Sequence, residues 1–213
     1  MILELFGLPG AGKTTLLQHL RVLTPQLTWS KPNIPSGLGT YRCALQLSVQ
    51  LLLEDPQTLV GLLAQRHGRL LLAKLGYRIA ITRQFEKSGP NIPVDSGVTQ
   101  PLLTYAAEYS ISPVSSHRLV RLVGLLPLPS LLLYVRVSPE RAFERYLERQ
   151  NLEGVRRDTK VSLEKYRAAS AFAESLVAKL PSDRVVTINN DTYPSEECLT
   201  DLGKRISKIS IYN

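Results

Sequence analysis

Apolar residues fall along this chain in short blocks, and the spacing within the blocks switches between strand-like runs and helical repeats. Residues 2–6 form a short apolar, β-tolerant run ended by Gly7 and read as a buried first strand. Leucines then recur at helical spacing from Lys13 to about Leu23, and Pro25 closes that segment. Residues 25–39 hold Pro25, Pro32, Pro35, Gly37 and Gly39, which predicts a loop or irregular excursion. Residues 41–53 and 57–75 predict two leucine-rich helices broken near Asp55-Pro56, with Gly76 as the C-cap of the second. Residues 77–90 suit a strand or a helix, with helix favoured.

After Pro90, residues 91–95 read as a short strand ending in an acidic residue, and Ser96-Gly97 turns the chain. Helical patterning resumes over residues 99–109 and 113–125. Residues 131–137 are a clear apolar strand, and Ser138-Pro139-Glu140 supplies an N-cap, a first-turn proline and an early acid for a helix running to about Arg149. A glycine-containing basic stretch over 152–160 precedes a long helix over 161–180, a β-rich run over 184–188 and a closing helix over 194–209. Strands alternating with helices predict an α/β fold with a mostly parallel sheet of about five strands, helices on both faces, and ligands beyond the carboxyl ends of the strands.

Composition narrows the reading. The 213 residues, 44% hydrophobic and 21% charged, fit one α/β domain over residues 1–213 and exclude a disordered chain. Cys43 and Cys198 are far apart, and His19, His67 and His117 are scattered, so neither a disulfide framework nor a structural zinc site is expected. The most apolar stretch, residues 119–137, is interrupted by Arg121, Pro127, Pro129 and Arg136, which argues against a membrane span. The first residues lack the basic start and long apolar stretch of an export signal, so a cytoplasmic, reducing environment is the expectation.

The strongest chemical signal is Gly7-Leu8-Pro9-Gly10-Ala11-Gly12-Lys13-Thr14, which fits the phosphate-loop pattern GxxxxGK[ST] between a predicted strand and a predicted helix. Glycines let successive backbone N–H groups converge on an anion, and the following helix adds the positive end of its dipole. The residues expected to bind the nucleotide are therefore Gly7, Pro9, Gly10, Ala11, Gly12, Lys13, Thr14 and Thr15. Lys13 would reach the β- and γ-phosphates of ATP, and the Thr14 hydroxyl would ligate Mg2+.

Three further features bear on the fate of the bound nucleotide. Asp95 ends a predicted strand, where a carboxylate can hold magnesium or accept the proton of an attacking hydroxyl, although turns also favour Asp before Ser-Gly. Arg141, Arg145 and Arg149 share one helical face, with Arg156 and Arg157 in the basic stretch after it; these suit a lid around residues 150–160, or a solvated, ion-paired helix with Glu144 and Glu148. Asn189-Asn190-Asp191 ends the last predicted strand, where a polar loop would sit near the nucleotide base.

Together, the N-terminal phosphate loop, Asp95, the strand and helix from Leu131 to Arg145, the basic stretch and the last strand resemble the P-loop kinases of the thymidylate kinase and nucleoside monophosphate kinase-like group. The resemblance covers nearly the whole chain. It implies a three-layer P-loop NTPase fold, ATP and Mg2+ bound by Gly10, Gly12, Lys13 and Thr14, and Asp95 serving the metal or the acceptor. It also implies that Arg145 or Arg149 flanks the adenine or phosphates and that Arg156 and Arg157 belong to a closing lid. The acceptor would lie in the region of Tyr41, Arg42, Gln100 and Tyr105. Thymidylate kinases commonly carry Arg directly after the strand Asp to hold the acceptor's phosphate; this chain has Ser96 there.

The expected function is transfer of the γ-phosphoryl group of ATP to a small acceptor such as a nucleoside or nucleotide, with a homodimer left open. An ATP- or GTP-binding regulatory or assembly protein without a small acceptor is the alternative, and a polynucleotide kinase a third reading, prompted by the net charge of +8. Residues 1–90 carry 10 basic against 4 acidic side chains and residues 141–167 carry 8 against 5, so the excess sits with the phosphate loop and the expected lid. That distribution favours a cleft for nucleotide phosphates over a nucleic-acid surface.

Overall fold

The computed structural model describes residues 2–24, 37–88, 92–94, 97–109, 113–152, 161–192, 199–204 and 206. Among them, four strands form one sheet in the order β2-β1-β3-β4, built from β1 (Ile2–Phe6), β2 (Ile92–Val94), β3 (Leu131–Arg136) and β4 (Val185–Asn189). All three pairings are parallel, with Leu3 and Phe6 opposite Leu131 and Tyr134, and Leu132 and Arg136 opposite Val185 and Asn189. The expectation of about five strands thus becomes four among the described residues, and the parallel topology stands. β1 and β3 are buried along their length save Arg136, which explains their continuous apolar sequence: a central parallel strand is covered on both faces and has no polar side to alternate.

The helices are α1 (Lys13–Leu23), α2 (Gly37–Glu54), α3 (Pro56–Ala64), α4 (Arg66–Ser88), α5 (Gln100–Tyr109), α6 (Pro113–Val123), α7 (Pro139–Leu152) and α8 (Leu163–Val177). The break at Asp55-Pro56 falls where the sequence put it. Asp55 caps α3 by accepting from the Thr58 N–H and hydroxyl, which holds its carboxyl below the usual carboxylate range. The segment over 57–75, expected as one helix, is two, because the chain straightens at Gln65 before α4 begins. Residues 37–39, expected in a loop, open α2. The ambiguous residues 77–88 continue α4 as helix; the last residues of that expectation, like most of the excursion over 25–39, lie outside the described residues.

Gly76 is not a C-cap. It lies within α4, where a Cβ would stand 2.6 Å from the Ala44 Cβ of α2, so the missing side chain lets the two helices touch backbone to backbone. Leu47 and Leu51 of α2 and Leu71, Leu72 and Leu75 of α4 are buried in the same core. Tyr166 of α8 packs edge-on against Phe143 of α7 at 5.3 Å between ring centres and lies 5.9 Å from Tyr146. None of the helices, among the described residues, is long and apolar enough to cross a membrane.

Replacing Gly76 by Leu should force α2 and α4 apart and lower stability by about 1–3 kcal/mol, read as a drop in the urea midpoint. An unchanged midpoint would mean that the contact is not tight.

Candidate functional site

The loop between β1 and α1 leaves the sheet at the carboxyl end of its central strand. Gly10 (φ 82) and Gly12 (φ 83) adopt the left-handed conformation that side chains disfavour, and a bond from the Ala11 N–H to the Leu8 carbonyl (3.0 Å) closes the turn. Gly12 is also the N-cap of α1, has no side-chain cap bond, and is followed by no acidic residue in the first turn. The first N–H groups of a helix have no intrahelical partner. This helix start therefore offers donors and positive dipole to an external anion instead of satisfying them internally.

The loop is clamped from four sides. The Gln100 side chain, at the start of α5, meets Gly7 twice: its Oε1 accepts from the Gly7 N–H (3.3 Å) and its Nε2 donates to the Gly7 carbonyl (3.2 Å). A Cβ at Gly7 would stand 2.5 Å from the Val135 carbonyl oxygen of β3, and one at Gly10 would collide with the Ala142 carbonyl of α7. Asn190, after β4, donates from Nδ2 to the Ala11 carbonyl (2.7 Å) and would lie 2.5 Å from a Cβ at Gly12. Glycine is thus demanded twice over at Gly10 and Gly12, by backbone conformation and by the elements resting on them.

Behind the clamp stand two supports, of which the sequence reading singled out Arg145 but not Glu4. Glu4, the single acid of β1, is buried at 1% exposure. Its Oε1 accepts from the Thr99 N–H (2.9 Å), the Thr99 hydroxyl and the Gln100 N–H (3.3 Å), and its Oε2 accepts from the Val98 N–H (3.1 Å). The carboxyl so ties the start of α5 to the central strand; burial raises its pKa, while the four donors pull the other way. Gly97 makes the approach feasible, since a Cβ there would collide with the Glu4 carboxyl. The sequence signal was available: an acid in the middle of an otherwise apolar strand must find donors.

The second support is Arg145. It donates from Nη1 to the Asn190 carbonyl (3.0 Å) and from Nη2 to the Asp191 carbonyl (3.3 Å). Asp191 in turn accepts from the Ser138 N–H (2.8 Å), tying the turn after β4 to the start of α7. The Ser138 backbone and hydroxyl, then Arg141 and Arg145, hold the Asp191 carboxyl below its ordinary value.

The sequence-derived candidates divide accordingly. Gly7, Pro9, Gly10, Ala11, Gly12, Lys13, Thr14 and Thr15 form the loop and the start of α1, with Thr14 and Thr15 exposed. Lys13 donates from Nζ to the Gly7 (2.9 Å) and Leu8 (3.0 Å) carbonyls, so its ammonium is tied to the loop. Asn190 touches the loop. Arg145 is engaged by backbone carbonyls in a supporting role, and Arg149 is exposed in the last turn of α7. Asp95, Arg156, Arg157 and the core of the expected lid lie outside the described residues.

The four acceptor candidates do not share one place. Gln100 is buried with its amide on Gly7, because the loop needs a partner for both polar groups of that residue. Tyr105 is half-buried on α5 with its hydroxyl 3.4 Å from Gln65 Oε1, whereas Tyr41 and Arg42 are exposed on α2.

The loop fits a nucleotide's phosphates: a glycine-capped helix start, with no side chain closing it and with one lysine and two hydroxyls beside it. For magnesium it offers the exposed Thr14 hydroxyl. Among the described residues no cluster of three or more His, Cys, Asp or Glu could hold a metal ion alone.

No protein-family model matches the sequence, and no curated protein is similar to it. Solved structures are similar. Deoxyadenosine kinase from M. mycoides with bound dATP superposes with a TM-score of 0.57 at 14% identity, over 98% of this chain and 100% of that one. The same enzyme with bound dCTP gives 0.56 at 12% identity, over 98% and 99%; with products it gives 0.54 at 15%, over 100% and 98%. The chain has the deoxyadenosine kinase fold. The P-loop architecture expected from the sequence is thereby shared along the whole match.

Two outcomes test this site. Gln100→Ala leaves both polar groups of Gly7 unpartnered and should cost about 1–3 kcal/mol in urea unfolding, together with weaker ATP binding by titration; unchanged values in both would rule out the clamp. Because the Asp191 pKa is lowered, its stabilisation is present above the unfolded value near 3.8 and disappears as pH falls through the folded one. Asp191→Asn should therefore flatten the acid limb of a stability-versus-pH curve.

Proposed function

We propose that this chain is a kinase that moves the γ-phosphoryl group of ATP to a nucleoside. The observation that carries the reading is the glycine-capped start of α1, clamped at the carboxyl edge of a parallel sheet within a fold shared with deoxyadenosine kinase along its whole length. The nucleoside is favoured over a nucleotide acceptor because Ser96 stands where a phosphate-gripping arginine would be wanted.

In this reading the loop N–H groups hold the β-phosphate, and Lys13 leaves its carbonyl partners to neutralise charge between the β- and γ-phosphates. Thr14 would hold Mg2+ through its hydroxyl, and the ion would supply positive charge that offsets that of the phosphates. Asp95 takes the proton of the acceptor hydroxyl as the acceptor oxygen bonds to the γ-phosphorus; the bond from that phosphorus to the bridging oxygen breaks, and ADP leaves. Arg149 flanks the adenine or phosphates, and Arg156 and Arg157 supply the positive side of the closing lid. Asn190 keeps a buried Oδ1 with no partner among the described residues, an acceptor beside Gly12 for a donor of the bound nucleotide or for water. Catalysis of this kind is mostly positioning and electrostatics, and a loop held by α5, β3, α7 and Asn190 is positioned before the nucleotide arrives.

The test is ADP release from ATP and Mg2+ with a panel of ribo- and deoxynucleosides, their monophosphates, sugars and amino alcohols. Nucleoside-dependent release is expected, and Lys13→Ala should reduce it by about 100-fold or more while leaving the thermal midpoint close to that of the parent. Release that no acceptor stimulates would favour a nucleotide-binding regulator instead.

A further inference from the structure

A hollow of about 430 Å³ opens between the C-terminal ends of α6 and α8. Val120, Val123, Leu128, Leu176, Leu180 and Pro181 form its walls, and Val123 and Leu176 are buried, so it reaches the core. Residues 124–130 lead from it into β3 and residues 181–184 lead into β4, which puts it at the amino edge of the sheet. The phosphate loop sits at the carboxyl edge, a strand's length of about 20 Å away. None of the residues assigned to the nucleotide lines this hollow.

The lining selects among ligands. Among the described residues no aromatic ring lines the hollow, so a nucleobase has nothing to stack on, and no hydroxyl or amide side chain lines it, so a sugar has no partners there. Aliphatic walls accept an aliphatic chain. The polar side chains are two cations from different helices: Arg121 in the last turn of α6 and Lys179 just past the end of α8. A narrower slot continues past Leu128, Leu180 and Pro181 to Arg184, a third cation.

The charge balance fits one negative group. The C-terminal ends of α6 and α8 each present about half a negative charge, and Arg121 and Lys179 together carry about twice what offsets them. Asp55, at the start of α3, feels the charges of both Arg121 and Arg118, and Asp183 is followed by Arg184, so each acid near the hollow has a cation of its own. No acid lines the hollow or the slot among the described residues. A surplus of about one positive charge is too small for a polyphosphate. It suits a carboxylate, whose two oxygens match the planar fork of an arginine. We propose that this hollow binds an aliphatic carboxylate, its chain against the leucine and valine walls and its head between Arg121 and Lys179, at a site separate from the nucleotide's.

Calorimetric titration of the full chain with decanoate, below the concentration at which it forms micelles, tests this. One decanoate per chain should bind saturably, and decanol, which has the chain without the charge, should bind about tenfold more weakly or worse. Arg121→Gln combined with Lys179→Gln should weaken decanoate by about tenfold or more with the far-ultraviolet circular dichroism unchanged, because both side chains are exposed. Leu180→Trp, which fills the hollow from a half-buried position, should abolish decanoate binding with a cooperative thermal transition retained. Uptake that does not saturate, equal affinity for decanol, or binding unchanged in the double variant would each overturn the proposal. So would displacement of decanoate by ATP, which would put it on the phosphate loop.

Discussion

A carboxylate sealed inside a parallel sheet is stable only if donors reach it, and in this chain meeting that demand organises the site. Glu4 draws the backbone of residues 98–100 and the Thr99 hydroxyl onto the central strand. That fixes where α5 starts, and so fixes Gln100, whose amide grips Gly7. Replacing Glu4 by an apolar residue would leave three backbone N–H groups buried without acceptors, a larger loss than the carboxylate's own desolvation suggests. The sheet, the α5 start and the phosphate loop are therefore one hydrogen-bonded unit.

The far side of the loop is built by the same logic with opposite charge. Arg145 supplies donors to two carbonyls in the turn after β4, and Asp191 accepts from the start of α7. Both direct their hydrogen bonds to backbone groups, so together they set geometry at the strand ends. Arg145, expected from the resemblance to flank the adenine or phosphates, thus braces Asn190.

Much of the fold was legible because its signals are local. Continuous apolar runs marked β1 and β3, Asp55-Pro56 marked a helix start, and GxxxxGK[ST] marked the loop. Where the reading went astray, the deciding contact was distant in sequence. Gly76 looks like a helix end until Ala44 of α2 is seen against it. Gln100 looks like a ligand-binding side chain until Gly7, 93 residues away, takes both ends of its amide. Glu4 was visible as an oddity in β1, but its partners lie 94 to 96 residues on. The acceptor side was the least legible, since no short motif ties together Tyr41, Arg42, Gln100 and Tyr105.

The bond from Asn190 to the Ala11 carbonyl joins residues 179 apart, most of the length of the chain. Closing a loop of that length carries an entropic cost that the condensed strands and helices between must offset. The phosphate loop therefore has its motif in one short stretch of sequence and one of its supports 179 residues away. The clamp that Asn190 places on the loop is thus a property of the finished molecule, and a chain truncated before Asn190 lacks it.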